Sequence, residues 1–254
     1  MNITPLSNIV TCLNNTLRCS EIRDASVAMN GLQVENNGQV SKIALAVDGS
    51  QKSIEDAIAA KADLLILHHG IYWAGLQSCT GWWKKKLLTC LNNNLAIYAA
   101  HLPLDIHPTL GNNAQMAQQL GLINTQPEVD YHGTLIGLSG EFKGSITELK
   151  QKYHHITQAP ITGYTHDEHA PAGRIALCSG AAGDEIYQIA NKGYQCYLTG
   201  EENHWVRNAA EDLGISILFA GHYATETFGV KALGEYLKQK YGLPTTFIDN
   251  PTGM

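Results

Sequence analysis

The sequence holds no apolar run approaching the roughly 18 residues that a bilayer span requires, and its first five residues carry neither a basic n-region nor a long apolar segment. A membrane protein and a secretory leader are therefore not expected, and the chain reads as cytoplasmic. Its six cysteines, Cys12, Cys19, Cys79, Cys90, Cys178 and Cys196, include no C-x-x-C pair, so they read as small buried or half-exposed thiols. Positive charge is scarce too. Lys and Arg number 17 against 23 Asp and Glu, the formal net charge is -6, and no basic face stands out beyond Lys84-Lys85-Lys86, so an electrostatic footprint for nucleic acid is missing. Those three lysines read as a solvated helix face, or alternatively as a cationic rim for a phosphate-bearing substrate. What is there, 44% hydrophobic and 16% charged residues over 254 positions, excludes disorder and is enough for one large domain or two intimate ones.

Residues 63–67 are mostly apolar between helical patterns, which predicts a buried strand of a parallel sheet. The chain then delivers His68-His69-Gly70 at the strand's carboxyl end, where open α/β sheets place their ligands. Neighbouring side chains at a strand end point apart, so the pair would face two ions or two sides of one cleft; a pair of structural histidines is the alternative. Upstream, residues 43–67 read as strand, helix, strand, with Asp48-Gly49-Ser50 at the first turn and Ser50 or Ser53 as the helix cap. Downstream, a helix begins at Gly81, and the next apolar strand, residues 95–100, ends at His101, with Asp105 four residues later. Pro103 and Pro108 predict an extended loop there in place of a regular helix. Residues 124–172 differ in texture. They hold Gly-rich short strands, a helix over 145–154 and a polar loop, His166-Asp167-Glu168-His169, which reads as solvated although its residue types suit a metal.

The chain also repeats itself. Residues 175–205 overlay residues 43–73 without a gap, matching Ile-Ala-Leu at both starts, Ile54 with Ile186 and Trp73 with Trp205. Gly200-Glu201 then stands where the first copy has His68-His69, and Gly221-His222-Tyr223-Ala224-Thr225-Glu226 answers Ala100-His101-Leu102-Pro103-Leu104-Asp105. Both copies thus place His-x-x-x-carboxylate directly after an apolar strand, where each polar group gives up apolar burial at a core edge. Two facing copies would pool His68, His69, Asp105, His222 and Glu226, with His101 and Glu201 close behind. Three imidazoles and two carboxylates suit Zn, Fe, Mn, Co or Ni, with a carboxylate as the usual bridge between two ions.

The stretches Asn30-Gly31-Leu32-Gln33-Val34, Leu67-His68-His69-Gly70, His101-Leu102-Pro103-Leu104-Asp105 with Gly111-Asn112-Asn113, Thr199-Gly200-Glu201, and Ala220-Gly221-His222-Tyr223-Ala224-Thr225-Glu226 resemble the GTP cyclohydrolase I type II homologues, the Nif-three-like family, in order and over nearly the whole chain. The resemblance implies two interlinked α/β modules of similar topology, residues 1–123 and 124–254, with a dinuclear metal centre in the cleft between them and a toroidal homohexamer. It implies His68, His69, Asp105, His222 and Glu226 as ligands to two divalent ions, with Glu226 bridging, and His101 or Glu201 handling protons. Tyr223 departs from relatives that carry a second histidine there. The chemistry implied is hydrolysis, by water that two ions activate, of a nucleotide-like or other phosphorylated small molecule. A metal-handling or regulatory protein without turnover is the alternative.

Overall fold

The computed structural model describes residues 2–25 and 27–253. Along the chain run β1 (Thr4–Pro5), α1 (Leu6–Leu17), β2 (Gly31–Val34), β3 (Gln39–Val40), β4 (Ile43–Asp48), α2 (Gln51–Ala59), β5 (Leu64–His69), α3 (Gly81–Asn92), β6 (Ala96–Ala99) and the short α4 (Leu102–Asp105). There follow α5 (Asn112–Leu120), β7 (Ile123–Tyr131), β8 (Thr134–Ser145), α6 (Ile146–Thr157), β9 (Thr162–Tyr164), β10 (Pro171–Leu177), α7 (Ile186–Asn191), β11 (Cys196–Thr199), α8 (Val206–Leu213), β12 (Ser216–Phe219), α9 (His222–Tyr241) and β13 (Thr245–Phe247). Among the described residues no helix is long and apolar enough to cross a membrane.

Two compact units result. Among the described residues, one comprises those up to Leu104 with Gly229–Asn250, the other Asp105–Phe228 with residues 251–253. The units do not follow a single cut near residue 123, because α9 starts in the second unit and continues into the first; a module traced by duplication and a unit traced by packing need not share boundaries.

In the first unit a five-stranded sheet has the order β13-β4-β5-β6-β2, with β4, β5 and β6 parallel and β2 antiparallel at the edge. β5 reads Leu-Leu-Ile-Leu-His-His and is buried on both sides as far as His68, as a central parallel strand covered by helices must be. Ser50 caps α2 by accepting from the Ser53 N–H at 3.0 Å, which confirms one of the two caps expected. The second unit has a six-stranded sheet, β7-β8-β10-β11-β12-β9, with three parallel strands, β10 to β12, where the first sheet has four, β13 among them, and with an antiparallel strand beside β12. Its helix α6 opens with a capping box between Ser145 and Glu148.

The duplication extends to the register. Ile43 pairs with Leu64 across β4 and β5, and the offset that lays Ile43 on Ile175 also lays Leu64 on Cys196, the pairing found across β10 and β11. One expectation fails. Residues 102–105 form a helical turn where the prolines predicted an extended loop, because Pro103 sits in the first turn, where its missing N–H is no loss and its fixed φ suits a helix. His166, Asp167, Glu168 and His169 lie on the surface, with the Asp167 carboxylate accepting from the His169 N–H, as a solvated loop should.

Leu65 is fully buried in the core that β4, β5, α2 and α3 enclose. Leu65→Ala is expected to lower stability by about 3 kcal/mol, read as a shift of the denaturant midpoint at unchanged slope.

Candidate metal centre

In the first unit, β5 ends in two histidines that the pleat turns apart. His68 is fully buried and its Nδ1 donates to the Ala100 carbonyl at 3.0 Å, just past the end of the neighbouring β6. His69 faces the other way and its Nδ1 donates to Asp48 Oδ1 at 2.8 Å; Asp48 is its register partner at the end of β4. His101 follows β6, and its Nδ1 donates to Asp24 Oδ1 at 2.7 Å. The three rings cluster, with centroids 4.7 Å apart for His68 and His69, 5.1 Å for His68 and His101, and 5.6 Å for His69 and His101. One nitrogen from each lies within 4.8 Å of the others.

A carbonyl or a carboxylate can only accept, so each Nδ1 carries the proton and, in the neutral ring, Nε2 carries the lone pair. Acceptors that fix the tautomer and orientation in this way are what metal-binding histidines use. Burial by itself would raise the Asp24 carboxyl, but hydrogen bonds from His101, Asn30 and the Ala25 N–H outweigh it and hold the group below the usual carboxylate range. Asp24 therefore stays an anion against His101.

The second unit builds its polar cluster from helix starts. His222 opens α9, so the spacing His-x-x-x-Glu becomes i and i+4 on one helical face, and His222 Nε2 lies 3.1 Å from Glu226 Oε2. His222 Nδ1 donates to Glu201 Oε2 at 2.6 Å, the same arrangement as in the first unit. Burial pushes the imidazole down, but hydrogen bonds and charge from Glu226 and Glu201 more than reverse this and raise it to about 9. Asp105, also buried, accepts on Oδ1 from Asn112 Nδ2 and Ser179 Oγ, both at 2.8 Å. Tyr223 lies buried in the first turn of α9.

Glycine makes room for the carboxylate. Gly180 has φ of 68°, and a Cβ there would overlap Glu226 Oε1 and come within 3.4 Å of His222 Nε2. At Gly200 a Cβ would crowd the Gly180 carbonyl at 2.8 Å and the Gly221 carbonyl at 2.9 Å. The Gly-Glu of Thr199-Gly200-Glu201 thus brings backbone close to the start of α9 and presents the carboxylate that orients His222. Buried His, Asp and Glu side chains with oriented imidazoles fit a divalent metal ion in their chemistry.

Several contributors were not singled out from sequence. Asp24 and Asp48 anchor two imidazoles, and Asn30 ties the first loop by accepting from the His101 N–H at 2.8 Å while donating to Asp24. Gln33 Oε1 accepts from the Ile71 N–H at 2.8 Å, against a Gly70 whose Cβ would strike the Gln33 amide. Asn30-Gly31-Leu32-Gln33-Val34 is therefore a brace for the histidine loops. Asp48 stands at a strand's carboxyl end, and Asn30 and Gln33 fall in a stretch that carries the family resemblance; Asp24 carried no local signal.

The chain is similar to known proteins over nearly its whole length. Residues 4–252 match the family profile described as Duf34/NIF3 (NGG1p interacting factor 3). A curated relative in Pyrococcus horikoshii named GTP cyclohydrolase 1 type 2 homolog is 42% identical over 248 residues, covering 97% of this chain and 98% of that one. One of the same name in Pseudomonas aeruginosa is 37% identical over 247 residues, with 97% of each covered. Among solved structures, protein ybgI, described as of unknown function, matches with a TM-score of 0.89 and 33% identity over 99% of this chain and 100% of that chain. Reduced HcgD from Methanocaldococcus jannaschii matches with a TM-score of 0.85 and 27% identity over 98% and 99%.

In protein stripped of metal, His222 is expected to titrate near 9 by NMR of its ring protons, and Glu226→Gln to bring that midpoint down. Because the folded value lies above the ordinary 6.5, this pair stabilises the metal-free protein fully below about 6.5 and loses its contribution as pH rises through about 9. A midpoint near 6.5 in the parent protein would contradict the assignment.

Proposed function

The chain belongs to the Duf34/NIF3 family, and we propose that within it this protein is a metal-dependent hydrolase of a nucleotide-like or other phosphorylated small molecule. In this reading His68, His69, Asp105, His222 and Glu226 would hold two divalent ions. The observation that carries it is the shared treatment of the histidines: His68, His69, His101 and His222 each donate Nδ1 to a fixed acceptor. Anchoring each imidazole through Nδ1 leaves its Nε2 edge as the one that can meet a metal ion or a proton, as ligand and proton-relay roles need.

Divalent ions held there would polarise a substrate oxygen and bring the pKa of water toward neutrality. The chain's own groups divide the remaining work. His101, braced by the anionic Asp24, can take a proton at Nε2 while Asp24 stabilises the imidazolium that forms. Glu201 acts through His222 Nδ1 and is a positioning residue. Ser179 and Asn112 fix the Asp105 carboxylate against rotation. The same reading makes the protein cytoplasmic and homo-oligomeric, the hexamer resting on family resemblance alone.

Elemental analysis of protein purified without added metal is expected to give near two ions per chain, and His68→Ala and Glu226→Ala to lose most of them; unchanged content in both variants would overturn the ligand assignment. Release assays on nucleotides including GTP should show turnover that Glu226→Ala abolishes. Bound metal with no turnover across that panel would favour the metal-handling alternative. Glu201→Ala is expected to weaken metal affinity by about 10- to 100-fold, the usual effect of removing an orienting carboxylate; a titration with a competing chelator measures it.

A further inference from the structure

The first unit contains a cavity of about 420 Å³ that the ligand and proton-handling roles leave unused. Asp48, Ser50, His69, Trp73, Trp82 and Lys86 line it, and its volume falls within the range of small-molecule sites. We propose that this cavity is the substrate pocket of the metal centre and that it takes a flat aromatic ring carrying a phosphate or similar anion, the ring against the indoles of Trp73 and Trp82 and the anion at Lys86. This names the substrate class for the centre proposed above and rests on that reading.

The indoles are exposed yet held. Trp73 and Trp82 keep 40% and 59% of their surface accessible, a large apolar area for one cavity mouth. Trp73 stands edge-on to His101, with centroids 4.7 Å apart at 73°, and 4.9 Å from His69. Trp82 sits edge-on to the buried Trp83 at 5.7 Å, in the first turn of α3. Rings fixed at one end and bare at the other are platforms on which a flat heterocycle can stack without ordering flexible side chains.

The cation is selective. Of Lys84, Lys85 and Lys86, the last lines this cavity, and the other two line a separate surface groove. Lys86 Nζ donates to the Gly49 carbonyl at 2.7 Å and lies 5.7 Å from the Trp82 ring centroid. An ammonium has three N–H donors, and the Gly49 contact uses one of them. Burial pushes the Lys86 amine down from its ordinary value, so an arriving anion would offset a desolvation already incurred. Asp48 also lines the cavity, and its carboxylate accepts from His69 Nδ1.

The test uses the full-length zinc-loaded protein and its tryptophan fluorescence. Adenosine and guanosine 5′-monophosphates, their nucleosides, phenyl phosphate and inorganic phosphate are the probes. At least one nucleotide should quench saturably and bind about 10- to 100-fold more tightly than its nucleoside, the range for one charge-assisted hydrogen bond. Lys86→Gln should erase that advantage and leave nucleoside binding as it was. Trp82→Leu should weaken both by about 10-fold or more, as loss of a stacking partner does. Both variants should keep the parental zinc content and circular dichroism spectrum. Phenyl phosphate binding as tightly as the nucleotides would assign recognition to any aromatic phosphate. Equal nucleotide and nucleoside affinities, an unaffected Lys86→Gln, or no saturable quenching by any aromatic probe would overturn the pocket. Failure of the two readings is separable: discrimination retained in a parent protein that holds no zinc sinks the metal centre and keeps the pocket, whereas zinc held without discrimination does the reverse.

Discussion

A neutral imidazole offers a lone pair at one nitrogen only while its proton is fixed at the other, and much of this fold serves that constraint. The Ala100 carbonyl, Asp48, Asp24 and Glu201 each hold one Nδ1 proton, and they come from different loops and strand ends. Parallel strands supply the positions. Pairing Asp48 with His69 at the ends of β4 and β5 places a carboxylate beside an imidazole with no contribution from loop geometry, because the ladder that holds the sheet also sets this contact.

Close backbone packing then keeps these groups in place. Gly49 could not carry a side chain, since a Cβ would lie 2.9 Å from both Ile71 and Leu67, and the turn after β4 therefore rests directly on the loop that follows His69. Gly180 plays the corresponding part against Glu226 in the second unit. In both copies of the repeat, small residues at strand ends let polar side chains sit where an apolar core would otherwise continue, and hydrogen bonds offset the burial. Asp105 shows the balance: it is buried, and two side-chain donors meet one of its oxygens.

The two copies have diverged in the same place for a physical reason. Both put three parallel strands side by side with an antiparallel strand beyond the third, and both deliver a histidine just after that third strand. The first copy supplies imidazoles at the end of its middle strand and the second supplies Gly200 and Glu201, an orienting carboxylate with a bare backbone beside it. The aromatic residue that follows the middle strand has diverged as well. Trp73 lies against two of the clustered imidazoles, whereas Trp205 stacks on Tyr187 at 5.8 Å.

Sequence alone determined the strand-helix-strand order, the duplication, the position of His68 and His69 at a strand's carboxyl end, and the pairing of a histidine with a carboxylate four residues later. These are local properties, set by the periodicity of burial and by spacing within one element, and they survive in a single chain of letters. The helical turn at 102–105 was misread at the same level, because Pro is compatible with a helix start as well as with a loop. What tertiary structure decided was which groups hold the imidazoles. Asp24 and His101 are 77 residues apart, and nothing near either marks the other; only the packing of one loop on another strand's end brings them within 2.7 Å. Likewise Lys86 reads like its neighbours Lys84 and Lys85 in sequence, and helix geometry alone turns it toward Gly49 and the cavity.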